Sequence, residues 1–389
     1  MPRRLAAAGA FVVSLDSTVN LAFPAMARAF DAPPERVRWV IICYVLTYAL
    51  LSFVGGAAGD RVGHGRVFRA GIALGAVGYV VCGTALTFSW LLAGRVVQGV
   101  GAGLVYGTTP ALVTFGLDPA ARGRDLGLLT GAIGLAFAVG PLLAGALMER
   151  WGWPAVFHLR LPLALVVLAW AVARVPVARG SAAVPFVDAR DVARVSVLRA
   201  GALAFLANAG IFAIWLLAPF YLLERRGLDA LMGGALFALT PLGTAVAAPV
   251  AGWIADRVGP WRPMQAGLVL EAVGLFAMSR ADAATPLGVL ALALFAAGFG
   301  LGVFQAPNMA ALMAEFPPGQ QGAAGGLAFL CRTLGTVGGV ALLGQVFAAR
   351  RAAGSFDAAF AAALAVAAGL VAIAAALATR RGSVRRSLF

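Results

Sequence analysis

A chain of 389 residues that is 61% hydrophobic and only 12% charged, with a mean hydropathy of +0.91, has too little polar surface to cover a soluble globule, where about a quarter of residues are charged. Its apolar runs last roughly twenty residues and do not alternate as barrel strands do, so it reads as an all-α integral membrane protein. The net charge of +14 comes entirely from arginines over acids and is scattered across loops, which excludes a nucleic-acid-binding surface.

Twelve transmembrane helices are expected, in two pseudo-symmetric six-helix bundles. The first bundle occupies residues 1–174, with spans at 5–27, 39–59, 68–89, 91–115, 126–148 and 154–174. Its first span imitates a secretory signal, with Arg3 and Arg4 before an apolar run and Ala25-Met26-Ala27 after it. A signal core has no use for Asp16 and Asn20, so the run is read as a span. Residues 175–197, rich in Arg, Asp and Pro, form the one long interior break and read as a cytoplasmic linker. The second bundle, within 198–389, has spans at 198–222, 230–253, 262–280, 285–312, 324–348 and 356–379. A basic tail with Arg380, Arg381, Arg385 and Arg386 follows, suited to an anionic leaflet at about 1 kcal/mol per arginine. Most arginines fall in the loops on one face, which places both termini in the cytoplasm of a multi-pass protein of the inner (plasma) membrane. Cys43, Cys82 and Cys331 fall inside spans and imply no disulfide framework; His64 and His158 stand alone, so no metal site is expected.

One charged phrase occurs twice, nearly half the chain apart. Gly56 precedes Asp60-Arg61-Val62-Gly63, and Gly252 precedes Asp256-Arg257-Val258-Gly259. Both copies follow the second span of their half. Six crossings are an even number, so a duplicated half keeps its orientation and puts both loops on one face, as in transporters built from parallel repeats. The first copy, with Arg66 following, resembles the signature loop of the major facilitator superfamily, which reads roughly G-x-x-x-D-R/K-x-G-R-R/K; His64 and Gly65 stand where that family has basic residues. Close helix contact at the first glycine, acceptance by Asp60 from helix N-terminal amides or an arginine across the halves, and a tight turn at Gly63 would make these loops a cytoplasmic gate; a merely solvated basic loop is the alternative.

Further motifs point to one branch. Leu15-Asp16-Ser17-Thr18-Val19-Asn20-Leu21-Ala22-Phe23-Pro24 resembles the first-helix signature of the drug:proton antiporters of the EmrB/QacA type, and Trp39 to Leu46 resembles that branch at the start of its second helix. Arg95 to Gly103 resembles the superfamily's fourth-helix R-x-x-Q-G-x-G-A. Gly140, Pro141 and Gly145 fit the antiporter motif of the fifth helix, with Ala136 and Ala144 in place of two of its glycines. That branch typically has fourteen helices; this chain reads as a twelve-helix form.

Charge inside a membrane is costly, at least about 2.5 to 3.5 kcal/mol for a mid-membrane carboxylate, and so marks function by default. Four such charges are read: Asp16, Arg95, Glu271 and Arg332. Asp16, one turn from Asn20, is a candidate to take a proton from one side and release it on the other, or else a structural hydrogen-bonder. The resemblance gives Arg95, one turn from Gln98, a part in proton transfer. Glu271 is the third proton-coupling candidate, and Arg332 is expected to tie helix ends together. The seventh and tenth spans occupy the places of the first and fourth, so Asn208, Gln305 and Asn308, with the aromatic Phe212, Trp215 and Phe304, are the expected substrate contacts beside Asn20 and Gln98.

The expected function is proton-coupled export of small hydrophobic or amphipathic compounds by alternating access, through a monomer whose partners are substrate, protons and the bilayer. No G-x-x-x-x-G-K-[ST] occurs, so the proton gradient is the expected motor and no cofactor is expected. No clustered nucleophile or His pair suggests an enzyme. Uptake or export of a specific metabolite or natural product is the alternative; a non-transporting receptor is remote.

Overall fold

The computed structural model describes residues 2–32, 34–174 and 187–379, and is helical throughout, with no strand among the described residues. Residues 175–186 of the expected linker and the tail from Arg380 lie outside the described residues.

The first span is two helices, α1 (Pro2–Ser14) and α2 (Thr18–Ala29), joined by a 3-10 turn at Leu15–Ser17. Then come α3 (Trp39–Val62), α4 (His64–Gly83), α5 (Phe88–Thr114), α6 (Gly123–Trp151) and α7 (Arg160–Arg174). The second series is α8 (Val195–Pro219), α9 (Ala230–Val258), α10 (Trp261–Ser279), α11 (Leu287–Ala314), α12 (Gln321–Ala353) and α13 (Phe356–Thr379). Among the described residues ten helices are long and apolar enough to cross a bilayer. They become eleven when the bent pair Arg3–Asn20 and Ala22–Ala29, at 63°, is taken as one span. The remaining expected span, α10, is a 19-residue helix that carries Arg262 and Glu271 and falls short of that apolarity, while packing against α11 and α13.

Local chemistry sets the helix ends. The glycines that close the repeated phrase stop α3 and α9: Gly63 and Gly259 take φ of 102° and 82°, a region side chains disfavour, and their amides return to the carbonyls of Gly59 and Ala255 at 2.9 Å. Thr87 caps α5 by accepting from the Trp90 amide at 3.2 Å, and Asp229 caps α9 by accepting from Met232 at 2.8 Å.

Helices α1–α7 form one bundle and α8–α13 the other. The most extensive contacts between them are α3 on α12 and α6 on α9, with α5 on α12 and α6 on α11 beside them. The first two crossings rest on facing glycines. A β-carbon on Gly56 would collide with the Gly322 carbonyl, and one on Gly252 with the Gly123 carbonyl, so any larger residue would separate the bundles. Side chains such as Leu50, Val166 and Leu292 are more than half exposed on the outer surface, an apolar belt that suits acyl chains and not water.

Candidate functional site

The 3-10 turn breaks the first span where Asp16 sits, and turns its carboxylate inward to three donors. Arg95 holds it with both guanidinium arms, Nη1 to Oδ1 at 2.6 Å and Nη2 to Oδ2 at 2.8 Å. Arg160 donates to Oδ1 at 2.7 Å and the Gln98 amide at 2.8 Å. The two arginines are fully buried and Asp16 is 8% exposed. Each is fixed from behind: Arg95 Nε donates to the Val40 carbonyl at 2.7 Å with its guanidinium 4.2 Å from the Tyr44 ring centre, and Arg160 Nε donates to Val156 at 3.1 Å with Tyr79 at 4.6 Å. One carboxylate between two guanidiniums leaves the cluster with a net formal charge of +1. Buried pairs of this kind tolerate no missing partner, since an orphaned charge costs about 3–5 kcal/mol.

Asp16 also reaches a cavity of about 170 Å³ between the bundles. Asn20, Tyr44, Tyr48, Tyr106 and Phe137 line it from the first bundle, and Asn208, Phe212, Trp215, Gln305, Phe329 and Arg332 from the second. Rings run along both walls. Tyr44, Tyr48, Tyr106 and Phe329 follow one another at centroid distances of 5.1, 5.5 and 4.8 Å, and Trp215 meets Phe137 at 5.3 Å and Phe237 at 5.0 Å. Asn208 accepts from the Gln305 amide at 3.2 Å, linking α8 to α11.

At the end that carries the repeated phrase, each bundle grips the other. Asp60 accepts from the Gly322 and Ala323 amides at 2.8 Å each, the N-terminus of α12. Asp256 accepts from the Gly123 and Arg124 amides at 2.6 and 2.9 Å, the N-terminus of α6. A carboxylate at a helix N-terminus meets free N–H groups and the positive end of the dipole. The two grips are therefore one device used twice. Ser52 adds a bond to the Gly326 carbonyl at 3.1 Å, and Arg122 one to Gln321 at 2.6 Å. His64 sits beside Asp60, Nε2 to Oδ1 at 3.2 Å.

Residues 5–340 match the family model of the Major Facilitator Superfamily. The chain belongs to that superfamily. Among its relatives, the riboflavin transporter RibZ of Clostridioides difficile is 24% identical, over 84% of this chain and 83% of the relative. The tetracenomycin C resistance and export protein of Streptomyces glaucescens is 28% identical, over 82% and 71%. The proton:xylose symporter XylE, solved with 6-bromo-6-deoxy-D-glucose, has a TM-score of 0.79 at 15% identity, over 96% of this chain and 94% of its own, and so shares the fold. A superfamily member with this fold is a transporter of small molecules and not an enzyme.

Against that architecture the sequence-predicted residues sort unevenly. Asp16, Arg95 and Gln98 come together, but Gln98 supports the carboxylate and does not line the cavity, because its amide is spent on Asp16. Phe304 is a correction: it is 1% exposed and packs in the second bundle's core against Gly267, since its place one residue before Gln305 turns it about 100° away from the cavity. Asn308 donates to the Ala200 carbonyl at 3.2 Å and is not on the cavity wall. Glu271 stands apart from the other charges, fully buried in α10, with neither carboxylate oxygen bonded among the described residues. Arg332 ties no helix ends; it faces the cavity. In the fifth-helix motif, Gly140 abuts Ser17 beside the 3-10 turn, Pro141 is half-buried and Gly145 is exposed. Arg61 is half-buried, Arg66 is exposed, and the exposed Arg257 lies 3.4 Å from the Trp253 ring centre. Sequence reasoning missed Arg160, although it lies within the expected sixth span, six residues from its start.

Proposed function

We propose that this superfamily member exports a small hydrophobic or amphipathic compound in exchange for protons, by alternating access between two bundles, 1–174 and 198–389, joined by a cytoplasmic linker at 175–197. In this reading the protein crosses the inner (plasma) membrane twelve times as a monomer, with both termini and both repeated turns in the cytoplasm. The observation that carries it is the placement of the Asp16 cluster at the wall of an inter-bundle cavity, with the bundles joined at the end of the repeated turns by the paired Asp60 and Asp256 grips. A cavity of about 170 Å³ is smaller than the roughly 300–1,000 Å³ of sites that enclose a drug-sized ligand, so loading and release require the bundles to part.

Asp16, Arg95 and Arg160 all belong to the first bundle, so rocking one bundle against the other leaves the cluster whole. Coupling then runs through its charge. A proton on Asp16 cancels the carboxylate that neutralises two guanidiniums, raises the cluster from +1 to +2 and loosens the 3-10 turn that joins α1 to α2. Deprotonation toward the cytoplasm resets it. Each proton moving inward supplies about 2.3 kcal/mol per 100 mV, plus about 1.4 kcal/mol per pH unit. The relative named for resistance and export supports this direction. A second reading, transport of one specific metabolite, draws on the relative named as a riboflavin transporter, and the tight, ring-lined cavity suits a flat compound of that kind.

The test is uptake of a fluorescent compound panel into inverted vesicles containing the protein. Accumulation that requires an imposed pH gradient and stops when a protonophore dissipates it is the expected result. Accumulation indifferent to the gradient excludes antiport.

A further inference from the structure

The cavity contains a cation that the Asp16 cluster does not answer. Arg332, on α12, lines the cavity, makes no ion pair among the described residues, and has its buried Nη1 without a hydrogen-bond partner. Its guanidinium lies 5.2 Å from the Phe329 ring centre, one turn back on the same helix. Among the described residues Asp16 is the one carboxylate on the cavity wall, and its oxygens are already taken by Arg95, Arg160 and Gln98. Two positive formal charges, one on the cluster and one on Arg332, therefore face the cavity with no free acid among the described residues to balance them.

A guanidinium drawn partly out of water and left unpaired is unfavourable, and what removes that penalty is an anion able to take its two-pronged donor face. The surroundings define the rest of that anion. Phe329 stacks on Tyr106 at 4.8 Å with 28° between ring planes, and Trp215 stands on another helix of the same cavity, so the ligand body that fits is flat and aromatic. An amphipathic cation meets the same rings, but brings a third positive charge to a wall that has two.

We propose that the transported compounds are planar aromatic anions whose acidic group, a carboxylate, phenolate or sulfonate, binds Arg332. This rests on the export reading above and narrows its substrate class. It also sets the energetics. One-for-one exchange of a monoanion outward for a proton inward carries two charges down the membrane potential, a neutral substrate carries one, and a monovalent cation none. Each additional charge changes the limiting substrate gradient about 50-fold per 100 mV.

The experiment uses the full chain in nanodiscs and in proteoliposomes, with three xanthene dyes of one ring skeleton: anionic fluorescein, a neutral dialkylated fluorescein and a cationic rhodamine ethyl ester. Fluorescein is expected to bind about tenfold or more tighter than the cationic dye by anisotropy, Arg332→Gln to remove that preference, and Arg332→Lys to restore most of it. In proteoliposomes, fluorescein export is expected to rise with inside-negative potential more steeply than that of the neutral dye. Equal or tighter binding of the cationic dye overturns the assignment. So does Arg332→Gln that unfolds no more easily and keeps the preference for fluorescein. Transport of fluorescein that is selective and Arg332-dependent yet ignores the pH gradient contradicts antiport instead, and leaves the substrate class standing.

Discussion

The two bundles are alike where they grip each other and unlike where they face the cavity. Asp60 and Asp256 make the same pair of bonds to the first amides of a helix in the opposite bundle, and each is backed by a glycine pressed against a glycine. The corresponding midpoints of the bundles differ in chemistry. Where α1 and α5 bring Asp16, Arg95 and Gln98 together, α8 and α11 bring Asn208 and Gln305, linked amide to amide at 3.2 Å. The repeat thus keeps the device that closes one end in duplicate, while the carboxylate-centred cluster stands in the first bundle and the second offers neutral amides and the guanidinium of Arg332. A switch needs both bundles to move, whereas a proton needs only one place to bind.

The largest effects should come from unbalancing the charged side. Asp16→Leu, which orphans both Arg95 and Arg160, should cost about 3–5 kcal/mol of stability, read from unfolding midpoints in detergent, and Arg95→Leu, which leaves the Asp16–Arg160 pair balanced, should cost less; equal losses in the two variants would mean that the charges are not coupled. Next come the grips. Asp60→Ala and Asp256→Ala should each weaken closure at the end of the repeated turns by about 1.5–3 kcal/mol and by similar amounts, seen as longer spin-label distances between the ends of α3 and α12 and of α6 and α9. A large effect from one and none from the other would break the symmetry argued here. At the amide pair of the second bundle, Asn208→Ala should cost about 1 kcal/mol and weaken substrate binding while leaving the proton-to-substrate ratio unchanged in paired flux measurements. The smallest effect is expected from Glu271→Gln, which keeps the shape of a buried group remote from the cavity and should leave coupling intact. Loss of coupling in that variant would move the proton site to the second bundle.

Much of this was legible before the structure. Apolar runs place the helices because a bilayer demands about twenty such residues whatever their neighbours do. The helix ends shift by a few residues where glycine φ or a capping side chain decides them, as at Gly63 and Thr87. The repeated phrase announced a shared face and an acceptor at Asp60 for helix N-terminal amides or an arginine across the halves, though not that Asp256 would make the same pair of bonds in the reverse direction. Side-chain roles were harder to read, because helical spacing says which residues share a face and not what that face meets. That is why Gln98 passed for a cavity residue, Phe304 for a wall and Arg332 for a tie between helix ends. Arg160 was overlooked for a related reason: near the start of a span an arginine looks like an interfacial charge, until folding brings it 2.7 Å from Asp16.

The central claim is that the Asp16 cluster carries the proton, and it is tested most directly by following proton flux with a pH-sensitive dye inside proteoliposomes while substrate is presented to the native chain and to Asp16→Asn. The account predicts substrate-driven proton movement in the native protein and none in the variant, which should still bind substrate. Full proton movement through Asp16→Asn would contradict it.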